Sequence, residues 1–367
     1  MAGTYILNSQ KKSVDLPLVI CVVVLTLLGL LMVFDVSVPQ ALKDFSDGNY
    51  YIKQQLLWAF FGTLLAFFFT NFDYHFFKRI SSILFFASFA MLVAVFIPGL
   101  GISAGGAHRW LNLGFITIQP AEIIKLTGVI FLSSIFEKSA RFIPFLVTAA
   151  AVTLVTAIWQ KDLGSATVFV IVSAALYFLS GGPKLHFLIA APLGILTFAV
   201  LVLTSGYRKS RILAFLDPFS DPQGFTYHIL QILIALGTGG IFGVGLGQSR
   251  QKFEYIPEVT TDSIFAIIGE QFGFLGSTLV IGLFIFLILR GFKIAQSTED
   301  NFGRILALGI TVWLGVQAVI NLFSMVALVP LTGVPLPFIS YGGSALVANL
   351  IAIGILLNIS KSTQTTN

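Results

Sequence analysis

The chain has 367 residues, of which 56% are hydrophobic and only 10% are charged. A soluble globular domain averages about 25% charged residues, so the composition excludes an ordinary soluble enzyme. The formal net charge of +5 says little by itself, and no nucleic-acid partner is expected.

Apolar runs of about 20 residues recur along the whole chain, as is typical of a polytopic membrane protein. The runs lack strict alternation, which favours helices over a β-barrel. We predict an all-α protein that forms one membrane domain over residues 1–367. The first run has no small-residue cleavage site and is expected to be a retained helix. The ten predicted transmembrane helices cover residues 16–35, 51–70, 80–98, 119–136, 142–158, 164–181, 185–204, 262–290, 305–329 and 343–359.

Basic residues in the short connecting segments predict the orientation of these helices. Ten spans place both termini on one side, and the cytoplasmic side of a membrane protein carries the excess of Lys and Arg. Eleven basic residues lie on the termini side: Lys11, Lys12, Lys78, Arg79, Lys138, Arg141, Lys184, Arg290, Lys293, Arg304 and Lys361. Four lie on the other side: Lys43, Lys53, Arg109 and Lys161. Both termini are therefore predicted to be cytoplasmic, in the cytoplasmic (inner) membrane.

The connection between predicted helices 7 and 8, residues 205–261, is the longest of the chain and faces outward in this orientation. A loop of that length is uncommon unless it is functional. Thr226 to Leu236 is apolar enough for a short helix at the membrane interface, which GTGGIFGVGLG then ends. The glycines with Arg250 and Lys252 have the composition of an anion nest, but the segment matches no nucleotide fingerprint.

Asp262 lies at the end of this loop, where the next apolar run begins. On the local sequence alone it is either the N-cap of predicted helix 8 or a carboxylate that performs chemistry at the membrane rim. Glu270, eight residues later, is either a second carboxylate or a buried structural acid.

The other outward segments also carry polar residues with two interpretations each. Arg109 and Trp110 form either an interfacial aromatic belt with a snorkelling cation or a ligand contact. Glu122 and Lys125 have the i,i+3 spacing of an ion pair, which either locks a helix or lends positive potential to a phosphate site. Asp162 is predicted to cap the following helix.

Several runs together resemble the SEDS family of cell-wall polymerases, with its FtsW and RodA branches. They are GGAHRWLNLGFITIQPAEIIKL, QKDLGSA, HILQILIALGTGGIFGVGLGQSRQKFEYIPEVTTDSIFAIIGEQFGFLG and LTGVPLPFISYGGSAL. They span most of the chain in the family order, and GLGQSRQKFEYIPE is more similar to FtsW than to RodA. Val259-Thr260-Thr261 and Ser263 depart from the common pattern beside the acid.

The resemblance implies a peptidoglycan glycosyltransferase that polymerises lipid II, a disaccharide-pentapeptide on undecaprenyl pyrophosphate. It implies a class B penicillin-binding protein and other divisome proteins as partners, and septal wall synthesis as the role. It implies Asp262 as the catalytic acid residue and polar contributions from Arg109 and from the Glu122–Lys125 pair.

Glycosyl transfer needs a base for the acceptor hydroxyl and positive charge for the diphosphate leaving group. We expect Asp262 as the base and Arg109, Trp110, Lys125, Arg250 and Lys252 as substrate contacts. No cofactor or metal ligand is assigned, and a divalent cation (Mg²⁺ or Mn²⁺) is the alternative source of positive charge. The alternative functions are a lipid II flippase and an elongation-type, RodA-like polymerase.

Overall fold

The computed structural model describes residues 13–104, 107–114, 116–253 and 255–362. All later statements about contacts concern these ranges. Some residues that the orientation count or the family motifs used lie outside the described residues: Lys11, Lys12, Gly105, Gly106, Phe115 and Glu254.

Helices make up most of the described chain. Eight of them are long and apolar enough to cross a membrane: α1, α2, α3, α5 with its π-helical end, α7, α10, α11 and α12. Each of the ten predicted spans overlaps a helix. Because α4 and α6 have only 17 residues each, the number of ten crossings stays a prediction. The α-helices are α1 Leu16–Phe45, α2 Tyr50–Asn71, α3 His75–Ala94, α4 Pro120–Phe136, α5 Phe142–Thr153 (continued by a π-helix Leu154–Trp159), α6 Leu163–Leu179, α7 Leu185–Leu203, α8 Gly206–Leu216, α9 Tyr227–Gly239, α10 Ile264–Ser297, α11 Asn301–Met325 and α12 Gly343–Ser362.

Several helices extend beyond the apolar runs that predicted them. The third helix begins at His75, five residues before its predicted start, and includes Lys78. Lys78 pairs there with Glu137 at 2.7 Å. Helical hydrogen bonding does not stop at the membrane surface, so hydropathy alone underestimates helix length.

The all-α prediction is wrong in one place, the connection between α3 and α4. Three short strands form an antiparallel sheet there, in the order β1 (Gly101–Ala104), β2 (Ala107–Asn112) and β3 (Thr117–Ile118). Trp110 pairs in register with Ile102. The consecutive residues His-Arg-Trp did not indicate that this segment forms a paired strand.

The most buried part of the bundle surrounds α11, whose Trp313 and Gln317 are fully buried. This helix packs against α4, α6, α10 and α12. Gly309 allows close approach, because a Cβ at that position would come within 2.6 Å of Val129. Small residues of this kind let membrane helices pack tightly where water supplies no driving force.

The long predicted loop contains two helices. The short helix predicted at 226–236 is confirmed as α9, Tyr227–Gly239, and it is followed by turns through the glycine-rich segment, whereas its location at the membrane interface stays a prediction. The amphipathic helix α8, Gly206–Leu216, was not predicted. Arg208 and Arg211 have helical spacing, but the Asp-Pro turns that follow them indicated a loop.

The glycine-rich segment after α9 fills a break in α10. Gly273 has φ 65° and ψ −162°, which interrupts the helix. Residues 240–245 supply hydrogen-bond partners for the backbone groups that the interrupted helix leaves unpaired. Four backbone hydrogen bonds join them: Val244 N to Glu270 O (3.0 Å), Gly245 N to Gln271 O (3.0 Å), Phe274 N to Gly240 O (2.9 Å) and Leu275 N to Ile241 O (3.1 Å). Backbone that is not helical at membrane depth requires such internal partners.

We expect Gly239→Ala to lower the apparent melting temperature of the detergent-solubilised protein. A Cβ at Gly239 would collide with the carbonyl oxygen of Gly269 on α10, and overpacking of this kind costs about 1–3 kcal/mol. Gly237→Ala in the same helix is the matched control, because its Cβ would meet nothing within 4 Å. That control is expected to be neutral or stabilising by up to about 1 kcal/mol. Equal melting temperatures for the two variants would contradict the close approach.

Candidate active site around Asp262

Asp262 lies in the turn before α10 and outside the helix itself, which begins at Ile264. The N-cap position belongs to Ser263, and no side chain makes a capping hydrogen bond there. The Asp262 carboxylate instead accepts a hydrogen bond from the Thr261 hydroxyl at 3.1 Å, and the residue is only 6% exposed. The cap interpretation of Asp262 is therefore wrong, and its burial needs another explanation.

A polar face of α11 holds the backbone around Asp262. Asn321 Nδ2 donates to the carbonyl oxygens of Asp262 at 2.7 Å and Val334 at 2.8 Å. One turn earlier, Gln317 Nε2 donates to the carbonyl oxygen of Pro335 at 3.1 Å. The i,i+4 spacing places both amides on the same face, so α11 fixes the Asp262 turn against the connection before α12.

The N-terminus of α6 forms another wall of the site. The predicted Asp162 cap is confirmed, because its carboxylate accepts from the backbone N–H of Ser165 at 3.0 Å and from its hydroxyl at 2.8 Å. Gly164 lies against the carbonyl oxygen of Thr332, and a Cβ at Gly164 would come within 2.5 Å of that oxygen. The absence of a side chain thus lets α6 touch the 330s connection directly.

Two arginines bind backbone carbonyl groups near the junction of the π-helix and α6. Arg109 donates from Nε to Gln160 at 3.3 Å and from Nη2 to Lys161 at 2.6 Å. Arg208 on α8 donates to the carbonyl oxygens of Leu201 and Ala157. These guanidinium groups satisfy carbonyls at helix ends and so tie β2 and α8 to the same junction.

Arg211, one turn after Arg208 on α8, is the arginine next to the Asp262 carboxylate. Its Nη1 donates to the carbonyl oxygen of Leu331 at 2.8 Å, and its guanidinium lies 4.7 Å from the ring centre of Tyr207. A Cβ built on Gly333 would lie 3.7 Å from Asp262 Oδ2 and 3.8 Å from Arg211 Nη1. Within the described chain the two charged groups form no direct ion pair, so a gap separates them.

The pKa of Asp262 is raised by its burial, because removal from water disfavours the charged carboxylate. The positive charge of Arg211 acts in the opposite direction, followed by the Thr261 hydrogen bond and the charge of Arg109. A carboxylate in these surroundings is more basic than an exposed aspartate.

The predicted Glu122–Lys125 pair is confirmed as a contact, deep in the bundle. Lys125 Nζ lies 2.6 Å from Glu122 Oε1 and 2.7 Å from Gln317 Oε1, and both members of the pair are at most 2% exposed. Trp313 Nε1 donates to the same Gln317 oxygen at 2.9 Å. Gln317 therefore links the ion pair to the α11 face that holds the site, whereas direct contact of Lys125 with substrate stays a prediction.

The predicted contacts Arg250 and Lys252 lie beside the break in α10, and Lys252 lines a cavity together with Glu258 and Val259. Lys252 Nζ pairs with Asp35 on α1 at 2.8 Å, and the same carboxylate accepts from Gln271. The backbone N–H of Arg250 donates to Glu270 at 3.1 Å. Glu270 is buried six residues into α10, about 9 Å along the helix, which favours its structural interpretation.

Trp110 lies on β2 beside Arg109 and is partly buried. The structure brings Arg109 towards Asp262, but it gives Trp110 no contact with the carboxylate. Its role as a substrate contact stays a prediction.

Sequence reasoning missed Arg211, Thr261 and Asn321 as parts of the site. The i,i+3 spacing of Arg208 and Arg211 was a usable signal for one helical face. Asn321 and Gln317 lie four residues apart in an apolar run, and two amides on one face of a membrane helix are themselves a signal.

No group of three or more His, Cys, Asp or Glu side chains comes together within the described ranges to hold a metal ion. Mg²⁺ is commonly held by one or two protein carboxylates together with substrate phosphates. Asp262 and Glu258, which both accept from the Thr261 hydroxyl, are the carboxylates available for that arrangement. The divalent cation stays a prediction.

Comparison with known proteins places these features in context. The model of the FtsW/RodA/SpoVE family, described as "Cell cycle protein", matches residues 16–365. The chain is 40% identical over 363 residues to "Stage V sporulation protein E" of Bacillus subtilis, covering 97% of this chain and 99% of that relative. It is 40% identical over 355 residues to "Probable peptidoglycan glycosyltransferase FtsW" of Trichlorobacter lovleyi, covering 94% and 93%.

A solved structure is similar over nearly the whole chain. It is described as "Structural coordination of polymerization and crosslinking by a peptidoglycan synthase complex". The TM-score is 0.76 at 28% identity, and the match covers 96% of this chain and 99% of the other.

We expect Asp262→Asn to raise the apparent melting temperature at neutral pH. A carboxyl whose folded-state pKa is raised destabilises the fold while it is ionised, and that cost disappears as the pH falls through the folded pKa towards the unfolded value of about 3.9. The difference from the wild type should therefore shrink on acidification. Asp217→Asn, an exposed carboxylate after α8, is the control and should change the melting temperature little. A destabilised Asp262→Asn variant at neutral pH would contradict the buried-charge account.

Proposed function

This chain belongs to the FtsW/RodA/SpoVE family of cell cycle proteins, and we propose that it is a peptidoglycan glycosyltransferase that polymerises lipid II. The observation that carries the proposal is the buried carboxylate of Asp262, which lies opposite the Arg211 guanidinium across a gap. A relative that bears the name of this activity, from Trichlorobacter lovleyi, is 40% identical and is matched over 93% of its length.

The proposed orientation places this chemistry at the outer face of the cytoplasmic membrane. Ten crossings with both termini in the cytoplasm agree with eleven basic residues on one side and four on the other. The turn that carries Asp262 then faces outward together with β2, α8 and the 330s connection. A lipid carrier can keep its chain in the bilayer while its sugar reaches this level.

The proposed reaction forms a bond between the acceptor 4-hydroxyl oxygen and the anomeric carbon of the donor sugar. The bond from that carbon to the diphosphate oxygen breaks, and undecaprenyl pyrophosphate leaves with the electron pair. Asp262 takes the hydroxyl proton as general base. Direct displacement inverts an α-linked donor into a β-linked glycan. The leaving group needs positive charge and no proton, so one carboxylate is sufficient here, unlike in the two-carboxylate hydrolases.

The surroundings of Asp262 suit a general base. Burial raises its pKa towards the operating pH, at which a base is most effective, while Arg211 keeps the ionised form accessible. The hydrogen bonds from Asn321 to the Asp262 and Val334 carbonyl groups fix the backbone of the turn. A fixed base reduces the reorganisation that proton transfer would otherwise require.

The proposed partner is a class B penicillin-binding protein that crosslinks the new glycan, with other divisome proteins around the pair. The similar solved structure, described as a peptidoglycan synthase complex of polymerization and crosslinking, supports a partner of this kind. We assign the chain to septal wall synthesis because the relatives named FtsW support it. The relative named for sporulation makes a spore-specific septum the competing role.

We expect purified Asp262→Asn, supplied with lipid II and its partner, to lose at least about a hundredfold in glycan polymerisation. The amide keeps the size of the side chain but cannot accept the proton. Glycan length on a gel is the measurement, and Asp217→Asn is the matched control for loss of one carboxylate from the same outer segment. Wild-type-like polymer from Asp262→Asn would remove Asp262 as the base. Lipid II crossing sealed vesicles without polymer formation would favour a flippase.

A further inference from the structure

Two cations that the sequence analysis assigned to the substrate, Lys125 and Lys252, are already paired with carboxylates in the structure. Lys125 is 2% exposed and is neutralised by Glu122. Lys252 is 8% exposed and is paired with Asp35. A charge that is already paired and desolvated contributes little to an incoming anion, since binding would require breaking a buried pair.

The arginines near Asp262 differ in how many hydrogen bonds they already make. Arg109 and Arg208 each donate from two nitrogen atoms to backbone carbonyl oxygens. Arg211 makes one hydrogen bond within the described chain, from Nη1 to Leu331. A guanidinium has five N–H donors in a fixed fork, so most donors of Arg211 remain available to a ligand.

The Arg211 side chain is also positioned in advance. The Tyr207 ring, one turn earlier on α8, lies 4.7 Å from its guanidinium carbon and supports the cation. Leu331 anchors it to the same connection that contains Gly333, whose φ of 70° suits glycine. A Cβ at Gly333 would contact both the Arg211 guanidinium and the Asp262 carboxylate, so both groups lie beside this glycine.

We propose that Arg211 binds the diphosphate of the lipid-linked donor, across the Gly333 gap from Asp262. This inference rests on the proposed function for the identity of the donor. A guanidinium can contact two oxygens of one diphosphate, which a lysine cannot do with the same geometry. In the proposed arrangement Arg211 contacts the leaving group and Asp262 contacts the acceptor hydroxyl.

The test measures binding of farnesyl diphosphate to the full-length protein in detergent with EDTA, without any polymerisation step. We expect Arg211→Gln to lower the affinity at least about tenfold, in line with loss of a charge-assisted hydrogen bond. Lys209→Gln removes the same charge from an exposed position on α8, about 200° around the helix, and should bind like the wild type. Farnesol should bind wild type and Arg211→Gln equally, and inorganic pyrophosphate tests whether the lipid chain is required.

The Asp262→Asn variant gives a second test of the position of the site, and this test does not depend on whether Arg211→Gln folds. Loss of a neighbouring negative charge should leave the farnesyl diphosphate affinity unchanged or increase it. Weaker binding by Asp262→Asn would overturn the inference, and loss of wild-type binding in EDTA would assign the diphosphate to a divalent ion and overturn it as well.

Two further results would overturn the inference: wild-type affinity in Arg211→Gln, and an equal loss of farnesol binding in that variant. Polymer assays stay separate from this binding test. Failure of the wild type to polymerise lipid II would overturn the proposed function and leave the diphosphate result intact.

Discussion

The two hydrogen bonds from the Asn321 amide nitrogen to the carbonyl oxygens of Asp262 and Val334 join the two segments on which the site depends. Neither segment is helical at these residues, so the two carbonyl groups have no helical hydrogen-bond partner. In a membrane protein such groups must be satisfied by other protein atoms. The Asn321 amide meets this requirement for one carbonyl group in each segment, and a backbone hydrogen bond from Tyr341 to Thr260 at 2.9 Å also joins the two.

The same constraint explains how the charged residues are used. Arg109 and Arg208 satisfy carbonyl groups near the start of α6, and the glycine-rich segment after α9 satisfies the interrupted backbone of α10. These contacts stabilise irregular backbone beside the outer ends of the helices. Arg211 makes fewer hydrogen bonds than either of these arginines within the described chain, and it lies next to the carboxylate.

Stability and chemistry oppose each other at Asp262. Burial of the carboxylate destabilises the fold while it raises the basicity that a proton acceptor needs. The buried Glu122–Lys125 pair shows the opposite solution, in which two charges neutralise each other and are linked to α11 through Gln317. The buried charge of Asp262 serves the proposed chemistry, whereas the Glu122–Lys125 pair supports the framework.

The sequence by itself determined the membrane class, the approximate positions of the helices and the importance of Asp262. Hydropathy depends on local composition, and the family motifs are contiguous, so both can be read without contacts. The helix α9, the Asp162 cap and the Glu122–Lys125 pair were also predictable, because each depends on spacing within one short segment. Only the tertiary structure decided that Asp262 is not a cap, that Lys252 pairs with Asp35, and that Arg211 lies across a gap from the carboxylate. Those facts depend on α1, α8, α11 and the 330s connection meeting in space, and side chains far apart in the chain leave no local pattern of their contact.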